Sequence, residues 1–513
     1  MEPEETISFV SAPANSYWLT RFLMLRLLGF VYLIAFLIAA HQLVPLVGAD
    51  GLTPANQYLN HVRDASGGSS WSGFINLPSL FWIGCSDNGM VAISWIGFAL
   101  SFVVLAGFAN SIIMFVLWVL YMSIIHIGQG WYGYGWEIQL LETGFLAIFL
   151  CPLLDARPFP RRETPVPVIF LYRWLIVRCM IGAGLVKMRG DPCWRDLTAL
   201  YYFYETQPIP GPLSRYLHFL PKAWLQILVL WNHFIELVAP WFAFGPRWCR
   251  YGAGILFIIF QIVLIIGGNL SFLNYLTIIP ALACIDDSVW RRLLPGWFVQ
   301  FADNARDEAT ECVPMQRTAM ALAVIIAILS VNPVLNLLSS KQIMNTSFDP
   351  LHLVNTYGAF GAVQRERFAI IFEGTDDLKV TDDTKWKEYG FVGLPSDPTV
   401  APPQIAPYQP RLDWQLWFAA MGPPQQSPWA IHLVWNLLHN DQNTIGLFGV
   451  NPFPIDPPKF IRAVLYRYSF AAPGNPNHVY WNRDKLDLWL PPMGLGDPKL
   501  IELMHQAGWL DQQ

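Results

Sequence analysis

Charge is what this sequence has least of. Only 13% of its 513 residues are Asp, Glu, Lys or Arg, against 54% hydrophobic residues. Soluble domains carry about a quarter charged residues, so this chain cannot cover a water-facing surface along its whole length. The shortage is local. Before about residue 340 the apolar residues run in long blocks, and beyond it the composition is mixed. A basic excess is also missing: the net charge of −5 excludes a strongly basic nucleic-acid binder. None of the seven cysteines, at 85, 151, 179, 193, 249, 284 and 312, forms a CxxC pair, which removes the usual zinc and thioredoxin-type motifs. None follows Cys312, so the C-terminal part holds no internal disulfide. The amino terminus is acidic (Glu2, Glu4, Glu5), and the first apolar block lacks a small-residue cleavage site. That block is expected to be retained as a signal-anchor helix.

What is present is a series of membrane-length segments. A helix crossing the hydrocarbon core needs about 20 mostly apolar residues. Such blocks lie at about 18–46, 90–108, 110–127, 136–154, 168–187, 222–244, 251–267, 270–285 and 316–338. The expected fold is a polytopic α-helical membrane protein of about nine spans over residues 1–340, followed by an α+β extracytoplasmic domain over 341–513. Arginines set the direction. Arg157, Arg161 and Arg162 follow the fourth block, Arg247 and Arg250 the sixth, and Arg291, Arg292 and Arg306 precede the ninth. With nine spans all three loops share one side, which the positive-inside rule makes cytoplasmic together with the N-terminus. The C-terminal domain then faces an ER lumen in a eukaryote, or lies outside the inner membrane in a bacterium.

The polar segments have their own patterns. Residues 188–221 form a long aromatic outer loop in which Asp191-Pro192 opens a short helix. Tyr201, Tyr202 and Tyr204 suit an interface-lying face, and Pro208, Pro210 and Pro212 end it. In the C-terminal domain, runs at 367–374, 389–394 and 460–470 have strand character. Runs at 412–421 and 429–438 have helical spacing.

Charges inside the apolar blocks each demand a partner. Arg178 lies near the middle of the fifth block, Glu142 in the fourth, and His233 and Glu236 share a face of the sixth. Counting depth from the cytoplasmic ends predicts one buried cluster of Arg178, His233, Glu236 and Glu142, acting either as a structural clamp or as a polar pocket. Lys187 falls at the outer mouth, level with Glu137. It reads as an interfacial lysine or, if desolvated, as a general base. Asn269 and Asn274, around the start of the eighth block, suit interhelical hydrogen bonds. Cys85 and Cys193 are the two cysteines clearly in outer loops, which permits a disulfide between them. No metal site and no cofactor are expected, and a polar pocket leaves room for a bound lipid.

Several runs resemble the lipase maturation factor family. They are 135–145 (GWEIQLLETGF), 190–198 (GDPCWRDLT), 204–208 (YETQP), 355–361 (NTYGAFG), 365–367 (RER), 411–418 (RLDWQLWF), 451–453 (NPF), 457–458 (PP) and 466–468 (YRY). The likeness extends from about residue 17 to about 492. One position departs from the family pattern: Phe203 stands where a histidine usually precedes the Glu-Thr-Gln-Pro run. The resemblance implies a multi-pass protein that assists folding, assembly or maturation of secreted clients such as lipases, without itself implying a reaction. Its expected partners are a lipase-like client and membrane lipids. Trp194, Tyr202, Tyr204, Glu205, Trp414 and Trp417 are the client-contact candidates, with Trp429 and Trp435 beside them, although a domain core would use most of these tryptophans in the same way. The membrane half also distantly resembles the membrane domain of vitamin K-dependent gamma-carboxylase, around 183–188 (AGLVKM). That likeness keeps open a second function, a membrane-embedded carboxylase-like enzyme using Lys187, Glu137, Glu142 and His233. A transporter ranks third, because the two halves show no internal repeat.

Overall fold

The computed structural model describes residues 16–310 and 312–510. Each apolar block is a helix: α1 Trp18–Val47, α2 Asp87–Ala106, α3 Ser111–Ile127, α4 Gly135–Leu150, α5 Val166–Arg189, α6 Lys222–Phe244, α7 Arg247–Gly267, α8 Leu273–Leu282 and α9 Val313–Leu338. Six of these (α1, α2, α5, α6, α7 and α9) are long and apolar enough to cross a membrane. The other three have 17, 16 and 10 residues. Prolines lie at or near the ends of two of them. Cys151-Pro152 ends α4, where the expected block ran on to 154. Pro280 sits inside α8, which ends two residues later.

The helices run alternately between two ends. At one end Ala109 N–H donates to Ala156 O (3.1 Å) and Ser111 N–H to Pro152 O (2.9 Å). Arg21 reaches Arg162 O there (3.0 Å). The first turn of α1 has no local side-chain cap. Instead the Asp287 carboxylate accepts from the N–H groups of Trp18 (2.8 Å), Leu19 (2.9 Å) and Thr20 (3.1 Å). An anion at a helix N-terminus meets both unpaired donors and the positive end of the dipole. At the other end lie residues 48–86, the 190–221 loop and the C-terminal domain. Gln42 donates to Gln409 O there (2.8 Å).

Helix α6 is not uniform. It is α-helical to His233, takes one π turn at Phe234–Val238 and continues as a 3₁₀ helix over Ala239–Phe244. Pro240 explains the change, since it has no N–H to donate and its ring presses on the carbonyl four residues back, that of Glu236. Val91, Trp95, Ile96 and Phe102 of α2 are exposed, as are Ile255, Ile259 and Ile262 of α7. Together they form the apolar outer face that a bilayer would cover.

The C-terminal domain holds two small antiparallel sheets. One pairs β1 (Thr346–Ser347) with β2 (Asn355–Thr356). The other has the order β4-β3-β5-β6, with β3 Arg367–Thr375, β4 Lys387–Glu388, β5 Phe460–Phe470 and β6 Trp481–Met493. Ile370 faces Leu465 in the β3–β5 ladder. Helix α10, Arg411–Ala419, packs on β3, and α11, Trp429–Leu438, on β5. The strand expected at 389–394 is a loop with a single bridge, Gly390 to Val450. The reason is local: Asp413 Oδ2 takes the N–H groups of Gly393 (2.6 Å) and Leu394 (2.9 Å) that a ladder would use. Strand β6 escaped the sequence pattern because charges interrupt its alternation and its ladder with β5 shifts register. One hydrophobic cluster runs from the helices into this domain without a break.

Candidate functional site

The chemistry-bearing residues meet where the C-terminal domain enters the open end of the bundle. Helix α4 supplies two glutamates. Glu137, in its first turn, forms an ion pair with Arg411 of α10 (2.8 Å), and neither side chain is solvent-accessible. Tyr121 on α3 donates to Glu137, as does the Trp136 indole (3.1 Å). Arg411 donates to Trp131 O (2.6 Å) and lies 3.4 Å from the centre of the Tyr132 ring. Its backbone N–H donates to Gln42 of α1 (2.8 Å).

Glu142 pairs with Arg178 of α5, both buried. Strand β2 lies beside the pair and bonds to both members. Asn355 gives its N–H (3.0 Å) and side-chain amide (3.1 Å) to Glu142, and its carbonyl accepts from Arg178 (2.6 Å). Tyr357 Oη adds a third donor to Glu142 (2.7 Å). The carboxylate is therefore shared between a membrane helix and the C-terminal domain.

The third pair is Lys187 with Glu236 (2.5 Å), again buried. Lys187 also donates to Asn232 (3.2 Å), and Asn232 donates to Glu236 (3.0 Å). The Trp194 ring lies 4.9 Å from the ammonium, within cation–π range. Trp194 in turn donates to Phe360 O (2.8 Å), so the aromatic outer loop links this pair to the C-terminal domain.

One expected cluster is thus two separate pairs. Arg178 meets Glu142, while Glu236 turns to Lys187, and His233 stands apart, donating from Nε2 to Trp194 O (3.0 Å). The depth count placed Arg178 and Glu236 together because it ignored side-chain direction. Side chains tilt toward their own helix N-terminus. On α5 that is toward the arginine-rich end, and on antiparallel α6 it is toward the outer end, where Lys187 reaches back. The π turn at Glu236 completes the meeting. Glu137 is not Lys187's neighbour, because Arg411 takes it.

The client-contact candidates are mostly interior. Trp194, Tyr204 and Trp414 are buried. Trp414 packs edge-on against Trp136 (4.9 Å), which stacks on Tyr134. Tyr202 lies under Arg365, and half-buried Trp417 donates to Thr206 O (2.9 Å). Glu205 caps the Phe470 N–H (2.7 Å). Trp429 is buried and Trp435 half-buried. Cys85 and Cys193 are free thiols, and Cys193 is buried against the loop's own aromatics, so the disulfide is not formed. Asn274 makes the expected interhelical bond, to Gln261 on α7 (2.8 Å). Asn269 instead holds the 403–406 segment, accepting from Ile405 N–H (2.7 Å) and Ala406 N–H (2.8 Å).

Sequence reasoning did not select Asn355, Tyr357, Arg411, Arg365 or Arg367 as site residues. All five lie in the quoted family-like runs, and that was the available signal. Arg367 donates to Gln207 O (2.5 Å) and Pro208 O (2.9 Å), closing the Glu-Thr-Gln-Pro turn. Arg365 pairs with Asp191 (2.7 Å) and holds that carboxyl well below the usual carboxylate range. The motifs of the membrane part and those of the C-terminal domain therefore bind each other.

A helical membrane part with a mixed α/β domain seated in its mouth by buried ion pairs is the class of protein defined here. The comparisons place it more narrowly. Residues 19–292 match the lipase maturation factor transmembrane domain, and residues 353–491 the lipase maturation factor C-terminal domain. The chain is 44% identical to lipase maturation factor 1 of Bos taurus, covering 94% of this chain and 90% of that one. It is 42% identical to lipase maturation factor 1 of Homo sapiens, over 99% and 94%. It is 28% identical to lipase maturation factor 2 of Rattus norvegicus, over 96% and 85%. The chain belongs to the lipase maturation factor family, and its role is that of a lipase maturation factor. No solved structure matches it.

Two predictions follow from the joint. Arg411→Leu strands Glu137 without a cation, and breaking a buried pair from one side costs about 3–5 kcal/mol. Thermal unfolding in detergent should drop steeply for this variant, and the double variant Glu137→Gln/Arg411→Leu should recover part of the loss. The second concerns pH. Burial pushes the Asp413 carboxyl up to about 6 in spite of its two N–H donors. A folded-state value above the unfolded one gives stability that is full below about pH 4 and lost as pH rises through 6, up to roughly 3 kcal/mol. Wild type minus Asp413→Asn stability should fall between about pH 4 and pH 6 and level off above that; a flat difference across that window would remove Asp413 as its source.

Proposed function

We propose that this chain assists the folding, assembly and maturation of secreted lipase-like clients, in a chaperone-like way, from the ER membrane of a eukaryote or the inner membrane of a bacterium. The observation that carries this is the saturation of the buried charges. Glu137, Glu142, Arg178, Lys187 and Glu236 are each spent on another side chain. A carboxylase-like reading needs Lys187 free to reach a substrate, and its amine is instead held against Glu236 (2.5 Å) and Asn232 (3.2 Å). Non-covalent help to a client fits this arrangement.

All nine helices cross the membrane in this reading, the N-terminus is cytoplasmic and the C-terminal domain lies outside the cytoplasm. The alternation of helix ends supports it, as does the gathering of the three arginine-bearing loops opposite the domain. The short helices α4 and α8 are mostly buried in the bundle, so other helices rather than lipid surround them. With the aromatic candidates used in the joint, the client face is placed on the open side of the C-terminal domain. A groove of about 430 Å³ lies there between the 390–403 loop, Val450 and Arg483, with Val392, Val400 and Val450 exposed. Patches of that kind serve as contact surfaces.

The test is co-expression with a client lipase in cells that lack the factor, reading secreted lipase activity per mass of lipase. Val450→Asp should lower that ratio while the amount of factor stays unchanged. An unchanged ratio removes the groove as the client face. Failure of the wild-type chain to raise lipase activity above the empty control would overturn the function itself.

A further inference from the structure

We propose that the seam between α5 and α9 binds one acyl chain of a phospholipid from the leaflet on the arginine-rich side, with Arg317 holding its phosphate. The seam contains a groove of about 720 Å³. Val166, Phe170 and Trp174 line it from α5, and Met320, Ala323 and Ala327 from α9. Helix α9 touches the bundle through Ala319, Leu322 and Ile326, which are buried. Beside that contact strip, the two alanines are too small to close the gap.

The groove has a floor. Trp174 Nε1 donates to Ser330 Oγ (2.9 Å), and Ser330 donates to Ile326 O (2.6 Å). Both hydroxyl functions are thereby used, so the floor offers no free polar group. Met320 and Ser330 are ten residues apart, about 15 Å along a helix. That is half of the roughly 30 Å hydrocarbon core, the depth of one leaflet. The shallow end has a cation. Arg317 lies one turn before Met320 on the same face, is exposed, and joins none of the ion pairs formed among the described residues.

These features select the occupant. An extended polypeptide would bring unpaired N–H and C=O groups to a depth without water. An acyl chain brings none, and a phosphate at headgroup level supplies the anion Arg317 lacks. The site is independent of how a client is handled, so it stands or falls separately from the function proposed above.

The experiment uses the full chain in phosphatidylcholine nanodiscs containing a small fraction of phosphatidylcholine with a diazirine in the middle of its acyl chain. Cross-linked peptides are mapped after illumination. Labels should concentrate in 166–174 and 320–330. Ala327→Trp, or the milder Ala323→Leu if the first unfolds, should cut that labelling by about tenfold while the Ile255–Ile266 face of α7 labels as before. Arg317→Gln should cut it by about fivefold through the lost headgroup contact. Equal labelling of the seam and the α7 face would overturn the proposal, as would labelling that Ala327→Trp leaves unchanged. Cross-links from the seam to a second copy of the chain would overturn it in favour of an interface.

Discussion

A carboxylate taken out of water costs several kcal/mol unless a cation and hydrogen-bond donors meet it. Helix α4 carries two such groups, five residues apart, and neither finds all its partners in its own part of the chain. Glu137 needs Arg411 from the C-terminal domain, and Glu142 needs Asn355 and Tyr357 as well as Arg178. The position of the domain follows from that need. It sits in the mouth of the bundle because two of its segments complete the coordination of two buried anions. The aromatic layer of Tyr134, Trp136 and Trp414 then excludes water from the joint. Water exclusion strengthens the pairs in turn.

Lys187 and the outer loop extend the same logic. Trp194 covers the ammonium on one side and donates to Phe360 O on the other. Gly361 packs so closely on Val186 that a Cβ there would lie 2.4 Å from a methyl group, which accounts for glycine at that position. Helix, loop and domain therefore behave as one packed unit rather than as tethered parts.

Apolar length and periodicity located the apolar helices and, in the C-terminal domain, β3, β5, α10 and α11, because burial in hydrocarbon or in a core imposes those patterns directly. The partners of the charges were not legible in the same way. Arg411 stands 274 positions from Glu137, and nothing in either neighbourhood encodes that meeting. The depth count failed at Glu236 for two identifiable reasons, the tilt of side chains along antiparallel helices and the π turn ahead of Pro240. Trp414 and Trp429 could serve a core or a contact surface on sequence alone, because large aromatics suit both, and the packing assigns them to the interior. The resemblance runs held the missing residues all along, as motifs without assigned partners.

The two glutamates also set an order of events during synthesis. The ribosome delivers α4 to the membrane more than two hundred residues before Asn355 and Arg411 exist. Until they emerge and fold, Glu137 and half the shell of Glu142 must be served by water or left unpaired. A chain cut short after α9 would keep every membrane helix and still lack the counterion of Glu137. Such a product is complete by hydropathy and incomplete by electrostatics, and quality-control machinery that senses unpaired intramembrane charge would treat it as unfinished.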